Sequence, residues 1–177
     1  MTLTLIRHAQ VEKRYQGRYN GHIDISLSKE GLASAKDLAK ELQAQNFDKV
    51  YCSTLKRARE TLKTFNLNLP TIFSKEIREK SWGIHEGKSF QEIEKMGIKY
   101  KNFEQWIADL DGEDSELYKR RIAHYFYDVI AKDKAKNILV ITHAGVIKTL
   151  LSIVENLSLE EAFSKEISYA SQIKISI

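Results

Sequence analysis

The chain has little of what builds disulfide-stapled, fibrous or membrane-spanning architectures. Its single cysteine, Cys52, cannot form a disulfide within the chain, and its neighbours Val50 and Tyr51 suit a strand in which the thiol acts as a small hydrophobe. With one proline and eight glycines in 177 residues there is no flexible linker, low-complexity tract or repeat. No apolar run approaches the roughly 20 residues of a membrane span, and the N-terminal apolar segment meets Arg7 too early for a signal sequence. A large excess of one charge is also missing, since 28 basic residues face 24 acidic ones for a net charge of +4. The expectation is a cytoplasmic protein with no membrane or nucleic-acid partner, whose modest basicity suits small anionic ligands.

What is present is a globular composition, 42% hydrophobic and 29% charged, at a length that fits one domain. Leu3 to Ile6 reads as a strand ending at Arg7-His8. The same grammar recurs at Lys49 to Ser53, which leads into a helical run from Leu55 to Phe65. It recurs again at Asn137 to Thr142, which ends at His143 before a helical run from Val146 to Val154. Between the first two strands, Leu32, Ala35, Leu38, Ala39 and Leu42 fall at helical spacing behind the capping residue Ser28. Further helical stretches run from Phe90 to Met96, Asn102 to Leu110 and Glu116 to Ala131, and Ser171 to Ile177 alternates as a last strand. Strands alternating with helices predict a three-layer α/β/α sandwich around a mostly parallel sheet, with ligands at the carboxyl ends of the strands. The expected organisation is one domain over residues 1–177 with a small helical cap inserted within 82–113.

Four pieces carry candidate chemistry. His8 ends the first strand beside Arg7; a neutral imidazole can attack phosphorus while a guanidinium holds phosphate oxygens. Thr142-His143-Ala144-Gly145 opens a helix, whose unpaired amides and dipole favour an anion. In Ser53 to Thr61, Lys56 and Arg59 read as exposed charges, whereas Arg57 lies where its fork of donors can turn back toward the strand end. In Ile77 to Gly87, Glu79 follows a short strand; a carboxyl beside a bound dianion holds its proton more readily, the property a general acid needs. Glu86 reads as an ordinary surface carboxylate.

Taken together, in order and spacing, these pieces resemble the histidine phosphatases, or phosphoglycerate mutase superfamily. Leu5 to Gln10 resembles its Arg-His-Gly signature, Tyr19 to Leu27 followed by Gly31 its G-x-x-D-x-x-L segment, and Ser53 to Thr61 its S-x-x-x-R-A-x-x-T. Glu79 to Gly87 resembles E-x-x-x-G-x-x-E-G, and Val140 to Val146 the T-H-A-G-V ending. The resemblance implies a metal- and cofactor-independent phosphomonoesterase. In it His8 is the nucleophile that becomes phosphohistidine, Glu79 is the proton donor and acceptor, and Arg7, Arg57 and His143 hold the phosphoryl oxygens. By the same resemblance the Gly21 amide and the Asn20 side chain add phosphate donors. Arg14, Arg18, Tyr19, Trp82 and Lys88 are candidates for the substrate wall. Three departures stand out: Ala9 where glycine is usual, Arg14 where asparagine is common, and His85 in place of a common tryptophan, which is expected to change the pocket wall.

The chain lacks room for the extended insertion of the mutase branch, and Arg120-Arg121 reads as helix surface charge, so hydrolysis is favoured over phosphoglycerate mutase-type transfer. The remaining alternative is a phosphate-binding regulatory module without turnover. Tyr19-Asn-Gly-His-x-Asp-x-x-Leu27 is similar to the α-ribazole phosphatases, which makes α-ribazole 5'-phosphate the leading named substrate.

Overall fold

The computed structural model describes residues 1–177. Five strands, β1 (Thr2–Arg7), β2 (Lys49–Ser53), β3 (Thr71–Ser74), β4 (Asn137–Thr142) and β5 (Gln172–Ser176), form one sheet in the order β3-β2-β4-β1-β5. All neighbours pair in parallel except β5, which closes the edge antiparallel to β1. The helices are α1 (Lys29–Leu42), α2 (Lys56–Phe65), α3 (Phe90–Lys95), α4 (Phe103–Asp109), α5 (Ser115–His124), α6 (Ala144–Val154) and α7 (Leu159–Ser164). No helix is long and apolar enough to cross a membrane.

Strand alternation explains the three layers. Along β4, Ile138 and Val140 join Leu3 and Leu5 of β1 under α5 and α6. Leu139 and Ile141 point the other way, with Ile6, Val50 and Cys52, toward Leu38 and Leu42 of α1 and Ala58 and Phe65 of α2. A strand buried on both faces must be apolar at every position, which is why Asn137 to Thr142 reads as a continuous run. Each such side chain stabilises the fold by about 1.5–3 kcal/mol.

Two local features differ from the sequence expectation. The helix anticipated to Ala131 is α-helical only to His124; a π-helical turn over Tyr125–Val129 and a 3-10 turn over Ile130–Lys132 follow. That widened turn brings Tyr125, Phe126 and Ile130 into the core while Tyr127 and Val129 stay exposed. The reading also passed over α7, although Ser158 and Glu161 form a capping box that starts it.

Residues 82–113 pack about a separate apolar cluster of Trp82, Ile93, Trp106 and Leu110, joined by Tyr19 and Phe90. Arg121 is more than a solvated charge: it forks onto Glu113 at 2.7 Å and donates to the Glu76 and Arg78 carbonyls, tying α5 to the segment before Glu79.

Candidate active site

The parallel register places Arg7 opposite Thr142, so the next residue of each strand, His8 and His143, stand side by side with ring centroids 5.1 Å apart. Nδ1 of His8 lies 2.8 Å from the Ala9 carbonyl. A carbonyl only accepts, so Nδ1 carries the proton and the lone pair sits on Nε2. That nitrogen receives the Nε–H of Arg57 at 3.2 Å. His143 meets the Ser53 hydroxyl through Nε2 at 2.8 Å. Burial, and after it the positive charge of Arg57, push both imidazoles well below the ordinary histidine value, so both are neutral near pH 7. A neutral His8 has the free electron pair a nucleophile requires.

Arg57 is 1% exposed and donates four of its five N–H groups inside the protein, to His8 Nε2 and to the Asn20, Gly21 and Ile23 carbonyls. Burial lowers its pKa to about 10, which leaves it charged at neutral pH. Thr61 of α2 accepts from the Ala9 amide and donates to the Arg57 carbonyl, joining the His8 turn to α2. Arg7 stacks 3.7 Å from the Tyr169 ring centroid and donates to the Ile167 carbonyl, while its Nε has no partner.

Glu79 accepts from the Gly145 amide at 2.9 Å, the Tyr118 hydroxyl at 3.0 Å and the Lys80 amide at 3.0 Å. A carboxylate is therefore the anion seated at the start of α6, where the sequence points to an anion. Gly145 makes that seat possible, because a Cβ there would lie 2.1 Å from Glu79 Oε1.

These groups border a cavity of about 220 Å³ lined by Arg7, His8, Arg57 and Glu79, with Arg18, Tyr19, Asn20 and Trp82. His143 stands fully buried behind it. Of the four buried side-chain polar atoms without a partner, three belong here: Arg7 Nε, Asn20 Oδ1 and His143 Nδ1. Buried polar atoms are normally paired, so this clustering marks a place built to meet a polar ligand.

The other candidate residues stand as follows. Arg14 lies outside the cavity, paired with Glu12 at 2.9 Å and 72% exposed; its short 3-10 turn points it to solvent. Lys88 also lies outside the lining residues, in a segment tied by its backbone to Tyr19 and His85. The Gly21 amide is spent on Glu86 at 2.9 Å. The Asn20 amide nitrogen is spent on the Tyr15 carbonyl, which leaves an acceptor rather than a donor. His85 is buried and accepts from the Asp111 amide, so it supports the 111 loop instead of forming the wall. Glu86 is no ordinary surface carboxylate either, since it gathers the amides of Gly21, His22, Ile23 and Trp82.

The sequence reading missed Tyr169, Phe163 and Lys148, which also line the cavity, and Tyr118, which holds Glu79. Lys148 is the only charged residue of α6, a signal the sequence offers; its ammonium donates to the Phe163 carbonyl at 2.8 Å. Tyr169 and Phe163 carry no local signal, since only the return of the chain after α6 brings them to the cavity.

Replacing Gly145 with Ala must expel the Glu79 carboxylate from its seat. The variant is expected to keep its circular dichroism while turnover of a phosphomonoester falls by roughly 10²-fold, the cost of a misplacement of about 1 Å. Unchanged turnover would contradict the placement of Glu79.

Residues 3–177 match the histidine phosphatase superfamily (branch 1). The adenosylcobalamin/α-ribazole phosphatase of Salmonella typhimurium is 28% identical over 160 residues, covering 86% of this chain and 78% of that protein. A broad-specificity phosphatase of Saccharomyces cerevisiae is 30% identical over 164 residues, covering 84% and 68%. The α-ribazole phosphatase structure from Shigella flexneri superposes with a TM-score of 0.86 at 25% identity, covering 100% of this chain and 91% of the other. With the paired histidines, the buried arginine and the seated glutamate on one sheet edge, the match over nearly the whole chain means that this protein belongs to the histidine phosphatase superfamily.

Proposed function

We propose that the protein hydrolyses a small phosphorylated metabolite through a phosphohistidine on His8. The observation that carries this reading is the fixed tautomer of His8, whose Nε2 lone pair meets the cavity among buried cations. A phosphate monoester brings a charge of about −1.5 to −2. Arg7 and Arg57 supply fixed positive charge against it from the cavity lining, and the unpartnered Arg7 Nε is left to meet its oxygens.

The incoming phosphoryl group takes the place of the Arg57 N–H on Nε2. The N–P bond forms as the bond to the leaving oxygen breaks, and Glu79, carrying a proton brought in with the phosphate monoester, gives it to that oxygen. Glu79, now a carboxylate, takes a proton from the water that attacks the phosphohistidine, and His8 leaves with its electron pair restored. Tyr118, the Gly145 amide and the Lys80 amide hold the carboxylate where both transfers occur. Residues 82–113 form the cap, and Tyr19, Trp82 and Arg18 form the wall that the substrate meets. Among substrates we favour α-ribazole 5'-phosphate, on the strength of the Tyr19 to Leu27 segment and the relatives named above.

Two measurements test this reading. In a phosphate-release screen of phosphorylated metabolites, α-ribazole 5'-phosphate is expected to give the highest kcat/KM; a sugar phosphate or nucleotide in first place would remove it as the substrate. Glu79→Gln cannot protonate a leaving group. Its kcat/KM for alkyl phosphates is expected to fall by about 10²–10⁴, and far less for p-nitrophenyl phosphate, whose leaving group departs as the anion. Equal losses on both would rule out Glu79 as the general acid.

A further inference from the structure

The fourth unpartnered buried polar atom is Thr149 Oγ1, 1% exposed on α6 and one residue beyond Lys148. It does not border the cavity just described. It lines a second, smaller one of about 30 Å³, walled by Phe103 and Ile107 of α4, Tyr118 of α5 and Leu159 of α7. Glu79, Trp82 and Phe163 border both cavities, so the general acid stands between them. Its carboxylate is already engaged by three donors, which leaves the Thr149 hydroxyl as the unpartnered buried side-chain atom of a slot that Lys80, Ser115 and Lys119 also border but whose open surface is apolar.

Buried water needs two to four polar partners, which such a slot supplies poorly, and an unpaired buried hydroxyl costs about 1–3 kcal/mol. Both costs are relieved by an apolar group that carries one hydrogen-bonding atom. Position decides which molecule brings it: a slot that shares Glu79, Trp82 and Phe163 with the cavity lies beside the residue that protonates the leaving oxygen, on the leaving-group side of the reaction.

Resting on the phosphomonoesterase reading, we propose that this slot is a subsite for a short apolar arm of the leaving alcohol, with Thr149 supplying its single hydrogen bond. Its size sets the reach. A volume near 30 Å³, against the roughly 10–15 Å³ that one water needs, accepts about two methylene-sized groups. A longer arm must separate Phe103 from Phe163, whose rings meet at 5.3 Å.

The test is kcat/KM by phosphate release along a series of n-alkyl phosphates from methyl to hexyl, with the ω-hydroxyalkyl phosphates beside it. For the wild type, kcat/KM is expected to climb about fourfold per methylene over one or two successive members and then level, the gain of burying that group. Ile107→Phe fills the slot and should flatten the climb. Leu159→Ala enlarges it and should extend the climb by a further carbon, a gain that misfolding cannot produce. Thr149→Val should lower the ratio of hydroxyalkyl to alkyl kcat/KM by roughly five- to tenfold. A flat wild-type series, or a slope that neither Ile107→Phe nor Leu159→Ala changes, would overturn the subsite while leaving hydrolysis intact. Absence of turnover on every member and on p-nitrophenyl phosphate would overturn the phosphatase reading itself, and the subsite with it.

Discussion

The parallel ladder between β1 and β4 delivers two imidazoles to one point beyond the sheet edge, and the rest of the site is built around keeping them there uncharged. The register from Thr2 opposite Asn137 to Arg7 opposite Thr142 leaves His8 and His143 as the first residues past the last rung. A slip of one residue would turn every side chain of β1 to the other face, exchanging Leu3 and Leu5 with Thr4 and Ile6 and separating the rings. Apolar packing on both sheet faces therefore fixes the relative position of two catalytic candidates without touching either.

Electrostatics then leave the site with an excess of positive charge. Arg7, Arg57 and Lys148 border a cavity in which Glu79 is the only carboxylate. Burial disfavours each of these cations and lowers its pKa. The protein tolerates this by giving Arg57 backbone carbonyls in place of a carboxylate partner, which stabilises its charge without neutralising it. Glu86 performs the complementary task, holding the 21–23 turn by its amides so that its carbonyls face Arg57. In the proposed reaction a dianionic phosphate supplies the charge that this arrangement leaves unbalanced.

How much of this was legible in the sequence depends on how local the cause is. Strand-end positions for His8 and His143, the helical position of Arg57 and the turn carrying Glu79 follow from periodicity and motif spacing, and the structure brings all four to one place. Less legible are the contacts that the folded turns make around the remaining candidates. Gly21 and Asn20 have the right chemistry for phosphate, but Glu86 and the Tyr15 carbonyl reach their donors first. Arg14 and Lys88 sit near the site in sequence and face elsewhere because a 3-10 turn and a backbone tie orient them. Tyr118 and Tyr169 could not be singled out among eight tyrosines, since only packing of α5 and the return to β5 places them against Glu79 and Arg7.

The central claim is that His8 Nε2 takes the phosphoryl group, and rapid-quench labelling with a phosphorus-labelled substrate tests it most directly. The wild type is expected to show an acid-labile, alkali-stable phosphoenzyme within the first turnover, and His8→Ala to show none. Label that persists in His8→Ala with the same acid and alkali behaviour would contradict the account.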